Sequence, residues 1–572
     1  MRAVVLFNKE DIIDYDYNHR EINDIIIPIS PLVRHYADAK GWEIRAFKDL
    51  WGNKEFIDAK VNSENSINLL IKELNLYSRP LSKNFPIEIG SYFDFFLRNV
   101  IGQIHYSWFI LNAINKTIQP DSWFIYKPNE KGLFMSFYPD EENVLFDLFV
   151  NSSFHKNLDK VVIKERNKTH LTIKEYLKKI IPNILLNQII SIKLIKKFGY
   201  NCSIGKIKLL NIGPAYDWAP LFSDDRFKKI FYVKYINGET LKSNKSANNQ
   251  LIEIFNKSVV HNNIVIYNLE KQARIIHSMI SYFDNNTKHF QKKLKKYSAI
   301  LNTIFIYPEQ NFIADLAGKL NKPVICWQHG EMGCSNDPFA FGAEARYTTH
   351  YLCYAPLILP KYEKFIGEGA LKQVYSVGNC MKHIKRKQNR YILYSTGKWM
   401  KNGIPFIDAQ DPDSRLYEAQ KSILEFLNSV GNEYEVIFKT SNNLGSNELV
   451  FKYPNIKVEN SLSFTSLVEN ASIVILDSPA TTCIETVSTN VPLFILSGRT
   501  KWYELPMALL KKRAVVSDNP DDLVVNVKEY LTRGTYLADT ENNEFYKGYG
   551  SENTIEITKQ KVYNILVDLT LN

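Results

Sequence analysis

Residues 473–496 read IVILDSPATTCIETVSTNVPLFIL, a stretch in which two apolar runs enclose a short polar cluster. Both runs have the length and composition of buried strands. Between them, Ser478 is predicted to cap a helix whose first position is Pro479. A helix that joins two strands indicates a βαβ unit and therefore a parallel sheet.

The polar cluster has the composition of an anion site. Ser478, Thr481 and Thr482 supply hydroxyl donors, and the first backbone N–H groups of the helix point toward any ligand at its start. Glu485 lies on the same side and can accept hydrogen bonds from a ribose diol. Two interpretations stay open: a nucleotide site at the carboxyl edge of a sheet, or a Ser-Pro cap beside a solvent-facing Glu that needs no ligand.

Length and composition predict a multidomain globular protein. The chain has 572 residues, 45% of them hydrophobic and 23% charged, which exceeds what one core accommodates. The six cysteines form no CxxC pair, as expected of reduced thiols in a cytosolic protein. The beginning of the sequence turns acidic too early for a signal peptide, and no apolar run is long enough to span a membrane. We therefore expect a cytoplasmic protein.

The formal net charge of +10 is concentrated in residues 161–180, 191–198 and 287–297. Basic residues alternate there with apolar ones at helical spacing, which suits an anionic membrane surface. Peripheral association with the inner face of the membrane is one interpretation, and a solvated helix face is the other. No nucleic-acid-binding signature accompanies the charge, so we expect no nucleic-acid partner.

The order of the predicted elements indicates an α/β fold with two Rossmann-like doubly wound domains. Residues 303–309, 310–321 and 322–330 are predicted as strand, helix and strand. The predicted domains are an N-terminal α/β domain over 1–370 with a helical insert at about 60–200, a nucleotide-binding α/β domain over 371–550, and a C-terminal helix over 551–572.

Two motifs resemble a known group. LDSPATTCIETVSTNVPLFIL (476–496) resembles an element in the C-terminal domain of GT-B-fold enzymes of bacterial surface polysaccharide biosynthesis. That group includes CDP-glycerol glycerophosphotransferases, Kdo and other CMP-sugar transferases, and nucleotide-sugar epimerases. KPVICWQHGEMG (322–333) is similar to the strand and Q-H-G element that ends the N-terminal domain in many of them. The resemblance covers about residues 304–525.

The resemblance implies a set of nucleotide-binding residues. The donor phosphates would lie on Ser478, Thr481 and Thr482, and Glu485 would contact the ribose. The turn after the first strand of the C-terminal domain usually approaches the phosphate, and this role falls on Thr396, Gly397 and Lys398.

One departure from the group affects the donor. Lys439 is kept, but Thr440 and Ser441 stand where many relatives carry His-Pro. Ser441 still offers a polar contact to the donor. The departure weakens the case for a specific CMP- or CDP-linked donor.

The catalytic candidates lie in two loops. His329 and Glu331 follow a predicted strand at the interdomain cleft, where a histidine is suited to act as general base. Asp16 and His19 lie in an acidic loop near the start of the chain, where GT-B enzymes often place the acceptor base. A hydrogen-bonded loop histidine and a solvated acidic loop are the alternatives. Trp218 is considered as a sugar-stacking platform.

The resemblance thus implies a metal-independent glycosyltransferase without a cofactor. It would move a sugar from a nucleotide-activated donor, such as CMP-linked Kdo, to a capsule, a lipopolysaccharide or a lipid-linked glycan. The sequence lacks the phosphate cradles of P-loop NTPases and ordinary dehydrogenases. A nucleotide-sugar 2-epimerase and a non-catalytic glycan-binding protein of the same fold are the alternatives.

Overall fold

The computed structural model describes most of the chain. The described residues are 1–45, 50, 53–128, 141–151, 160–165, 205–213, 215–235, 249–259, 269–335, 340–381, 384, 387, 390–396, 413–439, 453–497 and 502–571.

Three separate sheets organise these residues, and every strand pair in them is parallel. The N-terminal sheet has the order β2-β1-β3-β4. Its strands are β1 (Arg2–Leu6), β2 (Asp24–Pro28), β3 (Ser122–Lys127) and β4 (Lys160–Glu165).

The middle sheet has six strands in the order β10-β9-β8-β7-β5-β6. They are β5 (Ile207–Asn211), β6 (Phe231–Tyr235), β7 (Ala299–Asn302), β8 (Val324–Trp327), β9 (His350–Cys353) and β10 (Gln373–Ser376).

The C-terminal sheet also has six strands, in the order β13-β12-β11-β14-β15-β16. They are β11 (Tyr391–Ser395), β12 (Val436–Lys439), β13 (Ile456–Val458), β14 (Ala471–Leu476), β15 (Leu493–Leu496) and β16 (Val515–Ser517).

Helices cover the faces of the sheets. Those before β7 are α1 (Lys9–Asn18), α2 (Pro31–Lys40), α3 (Asn53–Ser78), α4 (Ile89–Tyr92), α5 (Asp94–Ile118), α6 (Glu141–Asn151), α7 (Ala215–Phe222), α8 (Asp225–Ile230), α9 (Asn249–Val259) and α10 (Leu269–Leu294). Those after β7 are α11 (Pro308–Lys319), α12 (Leu359–Glu363), α13 (Asp413–Val430), α14 (Phe464–Val468), α15 (Thr481–Val487), α16 (Glu504–Arg513), α17 (Pro520–Arg533) and α18 (Ile555–Leu571).

Alternating side chains of the strands divide the interior into layers. Leu210 and Ile300 of the middle sheet share a core with the N-terminal sheet and with α3, α5 and α10. Their neighbours Leu209 and Leu301 point the opposite way, into a core shared with the C-terminal sheet and α18. Because side chains alternate along a strand, one strand can hold both layers together.

The last helix, α18, returns to the middle sheet. Glu556 pairs with Arg226 at 2.8 Å, and Lys559 pairs with Asp224 at 3.2 Å. The end of the chain is therefore anchored on α8, next to β6, after the C-terminal sheet has been completed.

The predicted α/β class with two Rossmann-like doubly wound domains is confirmed. The N-terminal region differs from the prediction, because β1 does not join the middle sheet. The predicted helical insert at about 60–200 includes helices α3 to α6, but it also contains β3 and β4, which complete the N-terminal sheet. Short apolar runs such as SWFIYK do not distinguish strand from buried helix by periodicity.

The strand predicted at 303–309 lies elsewhere. The strand is β7 at Ala299–Asn302, and the residues after it turn toward the start of α11. The side chain of Gln310 accepts hydrogen bonds from the backbone N–H groups of Ile306 and Tyr307. That cap closes the first turn of the helix and removes Ile306 and Tyr307 from the sheet.

The basic segment 287–297 lies at the end of α10. Phe283 and Leu294 are buried in the core that joins the N-terminal and middle sheets, while Lys288, Lys292, Lys295 and Lys296 are exposed. Core packing thus accounts for the amphipathic period there. The other two basic segments lie almost wholly outside the described residues. Among the helices that the structure describes, none is long and apolar enough to cross a bilayer.

Candidate functional site

The C-terminal sheet changes its direction of growth between β11 and β14. The chain extends from β11 outward through β12 to β13, and β14 then pairs with the other side of β11. The helices that follow β11 and β14, α13 and α15, pack in different cores on opposite faces of the sheet. Such a switch point opens a crevice at the carboxyl ends of the strands, where ligands bind in open α/β sheets. Thr396 and Ser478 lie at this crevice, one after each strand.

Thr396 holds an unused hydroxyl at the crevice. Its backbone N–H donates to the Lys439 carbonyl at 3.2 Å. Its buried Oγ1, in contrast, makes no hydrogen bond within the described part of the chain. A buried hydroxyl without a partner costs roughly 1–3 kcal/mol, so it usually serves a ligand or a water. Gly397, Lys398 and Ser441 lie outside the described residues.

Asp477 fixes the other side of the crevice. Its carboxylate is buried and accepts hydrogen bonds from Gln420 Nε2 at 2.6 Å and from the Tyr394 hydroxyl at 3.2 Å. The next residue, Ser478, is only 9% exposed. Asp477 therefore serves the core, and it positions the backbone that carries Ser478.

The helix after β14 begins later than the sequence predicts. Ser478 was expected as its N-cap, but the N-cap is Ala480, and α15 runs from Thr481 to Val487 without a side-chain cap. Pro479 therefore lies in the loop before the helix. With seven residues α15 is short, so the anion-binding capacity of this tip comes from its hydroxyls and N–H groups more than from a helix dipole. Thr481 and Thr482 are both half-buried in its first turn.

Glu485 lies one turn further along α15. Its Oε2 accepts a hydrogen bond from the Thr465 hydroxyl at 3.0 Å, which ties α15 to α14. Burial raises the pKa of this carboxyl, and the hydrogen bond from Thr465 opposes the shift. Glu485 is half-buried, so the predicted solvent-facing alternative does not describe it.

Lys439 ends β12 next to the crevice. Its ammonium group donates to the backbone carbonyl of Asn460 at 3.2 Å, and the side chain is half-buried. Within the described residues this is the only hydrogen bond of the ammonium group, which leaves two N–H donors for a neighbouring oxygen.

The Q-H-G loop follows β8 of the middle sheet and is held by Gln328. Its Oε1 accepts from the backbone N–H of Tyr354, and its Nε2 donates to the carbonyl of Gly330. Gly330 has a left-handed φ of 55°, a conformation that glycine adopts without strain.

This loop meets the tip of α15. A Cβ atom built at Gly330 would lie 2.6 Å from Thr481 Oγ1. The loop also contacts the C-terminal half further on, where the backbone N–H of Tyr503 donates to the Cys334 carbonyl at 3.1 Å. The tip of α15 therefore faces the crevice between the middle and C-terminal sheets.

His329 lies in the same loop and is half-buried. Behind it is Glu344, which is fully buried and accepts hydrogen bonds from Tyr351 and Tyr362 at 3.0 and 2.5 Å. Burial raises the pKa of Glu344, against hydrogen bonds from the tyrosines and the nearby charges of Lys361 and His329.

Sequence reasoning missed Glu344, because nothing in its local pattern distinguishes a buried carboxyl from an exposed one. The backbone of Glu331 lies in the short 3-10 turn Gly330–Gly333, and its side chain is outside the described part.

Asp16 and His19 lie elsewhere. The predicted acidic loop is wrong, because Asp16 lies on helix α1 and His19 is the residue that ends it. Asp16 pairs with Lys40 of α2 at 2.7 Å. His19 Nε2 lies 3.4 Å from Asp14, and its ring packs against Phe124 of β3. The structure does not bring these residues into contact with the Q-H-G loop or α15: all their described contacts lie within the layer of the N-terminal sheet.

The middle sheet has a crevice of its own, between β5 and β7. Asn211 and Asn302 end these two strands, and both are fully buried. Neither side-chain polar atom of Asn302 has a hydrogen-bond partner among the described residues, and the same holds for Thr303 Oγ1. Two asparagines that follow apolar strand runs were a usable signal in the sequence.

Trp218 lies next to this crevice, but its ring is not exposed as the prediction requires. It is fully buried, and its indole N–H donates to the Asn302 carbonyl at 3.0 Å. A sugar cannot stack on a ring without exposed surface, so the predicted platform is wrong.

Comparisons with known proteins found matches among the solved structures only. No family model matches the chain, and neither does a curated protein. A UDP-GlcNAc 2-epimerase from Neisseria meningitidis, bound to UDP-GlcNAc, is 14% identical, with a TM-score of 0.38 over 63% of this chain and 100% of that one. MurG from Acinetobacter baumannii is 12% identical, with a TM-score of 0.36 over 63% of this chain and 99% of that one.

The glycotransferase of kitacinnamycin is also 12% identical, with a TM-score of 0.37 over 64% of this chain and 100% of that one. With identities and TM-scores this low, these likenesses carry no functional argument.

Proposed function

We propose that this protein is a glycosyltransferase that moves a sugar from a nucleotide-activated donor to a glycan acceptor. The observation that carries the proposal is the contact between Gly330 and Thr481. It sets a hydroxyl-rich tip at the carboxyl edge of one Rossmann-like sheet against a loop at the carboxyl edge of another. Ligands that bind both edges are enclosed between them.

The donor nucleotide fits the C-terminal side of this crevice. Ser478, Thr481 and Thr482 offer hydroxyl donors to phosphate oxygens. Thr396, whose hydroxyl has no hydrogen-bond partner in the described part of the chain, follows β11, the strand that pairs with β14. Glu485, one turn below, has a second carboxylate oxygen for a ribose hydroxyl, since its Oε2 already binds Thr465. The phosphate would thus meet hydroxyl donors, and the ribose would meet a carboxylate acceptor one turn further along the helix.

The transferred sugar and the acceptor fit the middle-sheet side. Asn211, Asn302 and Thr303, at the ends of β5 and β7, are fully buried, and each has a side-chain polar atom without a hydrogen-bond partner among the described residues, so these residues would reach a sugar hydroxyl through a bound water. Sugar hydroxyls donate and accept hydrogen bonds, as amide side chains do.

The reaction would then proceed by positioning and charge stabilisation. An acceptor hydroxyl attacks the anomeric carbon while the bond to the donor phosphate breaks, and negative charge grows on the leaving oxygen. Hydroxyl and N–H donors at the tip of α15 stabilise that charge. His329, in the facing loop, is our candidate for the base that takes the proton of the acceptor.

Calorimetry with CMP, CDP, UDP and GDP tests the donor site. We expect one of the four to bind, and we expect Thr481→Val and Thr482→Val to weaken that binding roughly tenfold each, about 1.4 kcal/mol. Thr532→Val is the matched control, because Thr532 is exposed on α17 and bonds only its own helix. Four nucleotides that all fail to bind would contradict the proposal and favour a non-catalytic glycan-binding protein.

The finer points of the proposal concern donor, acceptor and place in the cell. We propose a surface polysaccharide, such as a capsule or lipopolysaccharide, or a lipid-linked glycan as acceptor, with CMP-linked Kdo as the first donor to try. Peripheral attachment to an anionic membrane would bring the enzyme to such an acceptor. Incubation with UDP-GlcNAc alone separates transfer from 2-epimerisation, which needs no acceptor.

A further inference from the structure

A cavity lies at the amino edge of the middle sheet, at the opposite end of the strands from the Q-H-G loop. Its volume is about 660 Å³, within the range of ligand sites. Arg346 and Tyr347, just before β9, form one wall, and Gly369 and Ala370, just before β10, form another. These residues mark the amino edge of the sheet, whereas the Q-H-G loop follows the carboxyl end of β8, so the cavity is separate from the proposed donor site.

Polar groups of both kinds line this cavity. Four cations are interspersed with three carboxylates and two side-chain amides. The cations are Lys72, Arg79, Lys319 and Arg346; the carboxylates are Glu88, Asp315 and Glu368; the amides are Asn68 and Asn75. An isolated phosphate would be repelled by the carboxylates, and an apolar ligand would desolvate the charges. Arg79 already pairs with Glu88, and Asn75 bonds Ser91 through both side-chain atoms. A chain of hydroxyls, each both donor and acceptor, can use the donors and acceptors that remain.

Arg346 is held rigidly at the wall. Its guanidinium pairs with the buried Asp94 at 3.1 Å and lies 5.1 Å from the ring centre of Phe341, which also lines the cavity. Asp94 is itself fixed by Arg98 at 2.6 Å. A planar donor held in place before binding loses little conformational entropy when a ligand arrives.

Tyr347 and Asp315 line the cavity with polar atoms to which a ligand can form hydrogen bonds. Tyr347 is 5% exposed, and its hydroxyl makes no hydrogen bond of ordinary geometry to a described residue. Asp315 uses Oδ2 to accept from the Tyr92 hydroxyl at 2.6 Å, which leaves its other oxygen as an acceptor. Among the described residues, the buried Tyr347 hydroxyl has only a poorly aligned interaction with Ser91, and Asp315 has one carboxylate oxygen that does not bond Tyr92. Such groups are expected where a bound molecule supplies better hydrogen bonds.

We infer that this cavity binds a segment of an oligosaccharide at a distance from the reaction. In a polymer-modifying protein, such a second contact holds the chain while its end is processed, and it raises the effective concentration of that end. Glycan binding here requires neither a nucleotide nor the crevice, so it stands apart from the proposed transferase activity.

Two leucines on α3 give a matched pair of variants. Leu76 lines the cavity and is 52% exposed, whereas Leu69 is 47% exposed on the same helix and does not line it. Leu76→Trp places a large ring in the cavity, and Leu69→Trp makes the same change outside it. Thermal unfolding checks that both variants fold like the wild type.

The assay is a microarray of neutral, N-acetylated and acidic hexasaccharides, probed with the full chain in the absence of nucleotide. We expect at least one glycan to bind, Leu76→Trp to weaken its affinity tenfold or more, and Leu69→Trp to leave it unchanged. Glu485→Gln should bind as the wild type does, which separates this site from the donor crevice. The inference is overturned if no hexasaccharide binds, or if Leu76→Trp binds as well as Leu69→Trp.

Discussion

Gly330 and Thr481 touch across the crevice: a methyl group on the glycine would stand 2.6 Å from the threonine hydroxyl oxygen. The two residues belong to different sheets, one following β8 and the other beginning α15. A side chain at position 330 is opposed twice, by the left-handed φ of 55° and by this contact. The two effects can be separated experimentally.

Gly330→Ala should abolish most activity. We expect a loss of roughly 1–2 kcal/mol in the free energy of unfolding from the left-handed backbone conformation. We also expect nucleotide affinity to fall by about tenfold or more, because the loop must move off Thr481. Gly41→Ala is the control, since Gly41 has a similar φ of 66° with no atom within 4 Å of its added Cβ. Urea unfolding and calorimetry measure the two effects, and equal loss of nucleotide affinity in both variants would contradict the role of the contact.

Glu485→Gln should weaken nucleotide binding through the ribose. We expect roughly a tenfold loss for the ribonucleotide and little further loss when a 2′-deoxynucleotide replaces it. In the wild type the 2′-deoxynucleotide should bind less tightly than the ribonucleotide. If the deoxy form binds the wild type equally well, Glu485 does not contact that hydroxyl.

The same residue gives affinity a pH dependence. Burial raises the pKa of Glu485, so the carboxyl takes up its proton at a higher pH than an exposed Glu and then loses an acceptor site. Nucleotide affinity of the wild type should therefore fall as the pH is lowered through that raised pKa. The Gln variant should lack this component.

The sequence predicted the parts of the site that follow from local chemistry. Ser478, Thr481 and Thr482 stand out because a hydroxyl cluster between two buried strands suits an anion site, with a Ser-Pro cap as the alternative, and Thr396 stands out because it ends a strand. Their meeting at one crevice follows from the parallel order of the strands, which the alternation of strands and helices predicted.

The remainder depends on three-dimensional packing. No local pattern shows that Glu344 is buried between two tyrosines, or that Trp218 lies inside the core. Likewise, the sequence of β1 does not show whether this strand joins the middle sheet or belongs to a separate one, because its pairing depends on strands that are distant in the sequence. The sequence also placed the N-cap of α15 two residues too early, at Ser478 instead of Ala480.

Asn302→Leu should reduce activity without reducing stability. Because neither polar atom of this buried side chain has a hydrogen-bond partner among the residues that the structure describes, an apolar group of similar size removes a desolvation cost of roughly 1–3 kcal/mol. We therefore expect an unchanged or higher Tm and a lower kcat/KM. Asn379→Leu is the contrasting variant, since buried Asn379 is paired through both side-chain atoms and its replacement should lower Tm. A marked fall in the Tm of Asn302→Leu would show that the residue serves the fold.

Glu344→Ala should destabilise the fold strongly, whereas Glu344→Gln should be mild. The alanine leaves two buried tyrosine hydroxyls without their acceptor, at a cost of about 3 kcal/mol, while the glutamine keeps one acceptor oxygen. Burial raises the pKa of Glu344, so the folded state binds a proton that the unfolded state releases, and this contribution to stability is lost as the pH rises through the raised pKa. Urea unfolding over pH should show that the wild type gains stability relative to Glu344→Gln as the pH falls.

Three exposed lysines at the end of α10 test attachment to a membrane. Because Phe283 and Leu294 of that helix are buried in the core, the exposed lysines are the groups of this segment best placed to contact a bilayer. Changing Lys292, Lys295 and Lys296 to Glu should reduce flotation with anionic vesicles, since each lysine near such a surface contributes about 1 kcal/mol. The control makes the same change at Lys511, Lys528 and Lys561, which are exposed but belong to separate helices. Flotation should weaken with added salt, and equal flotation of both triple variants would locate any membrane contact away from α10.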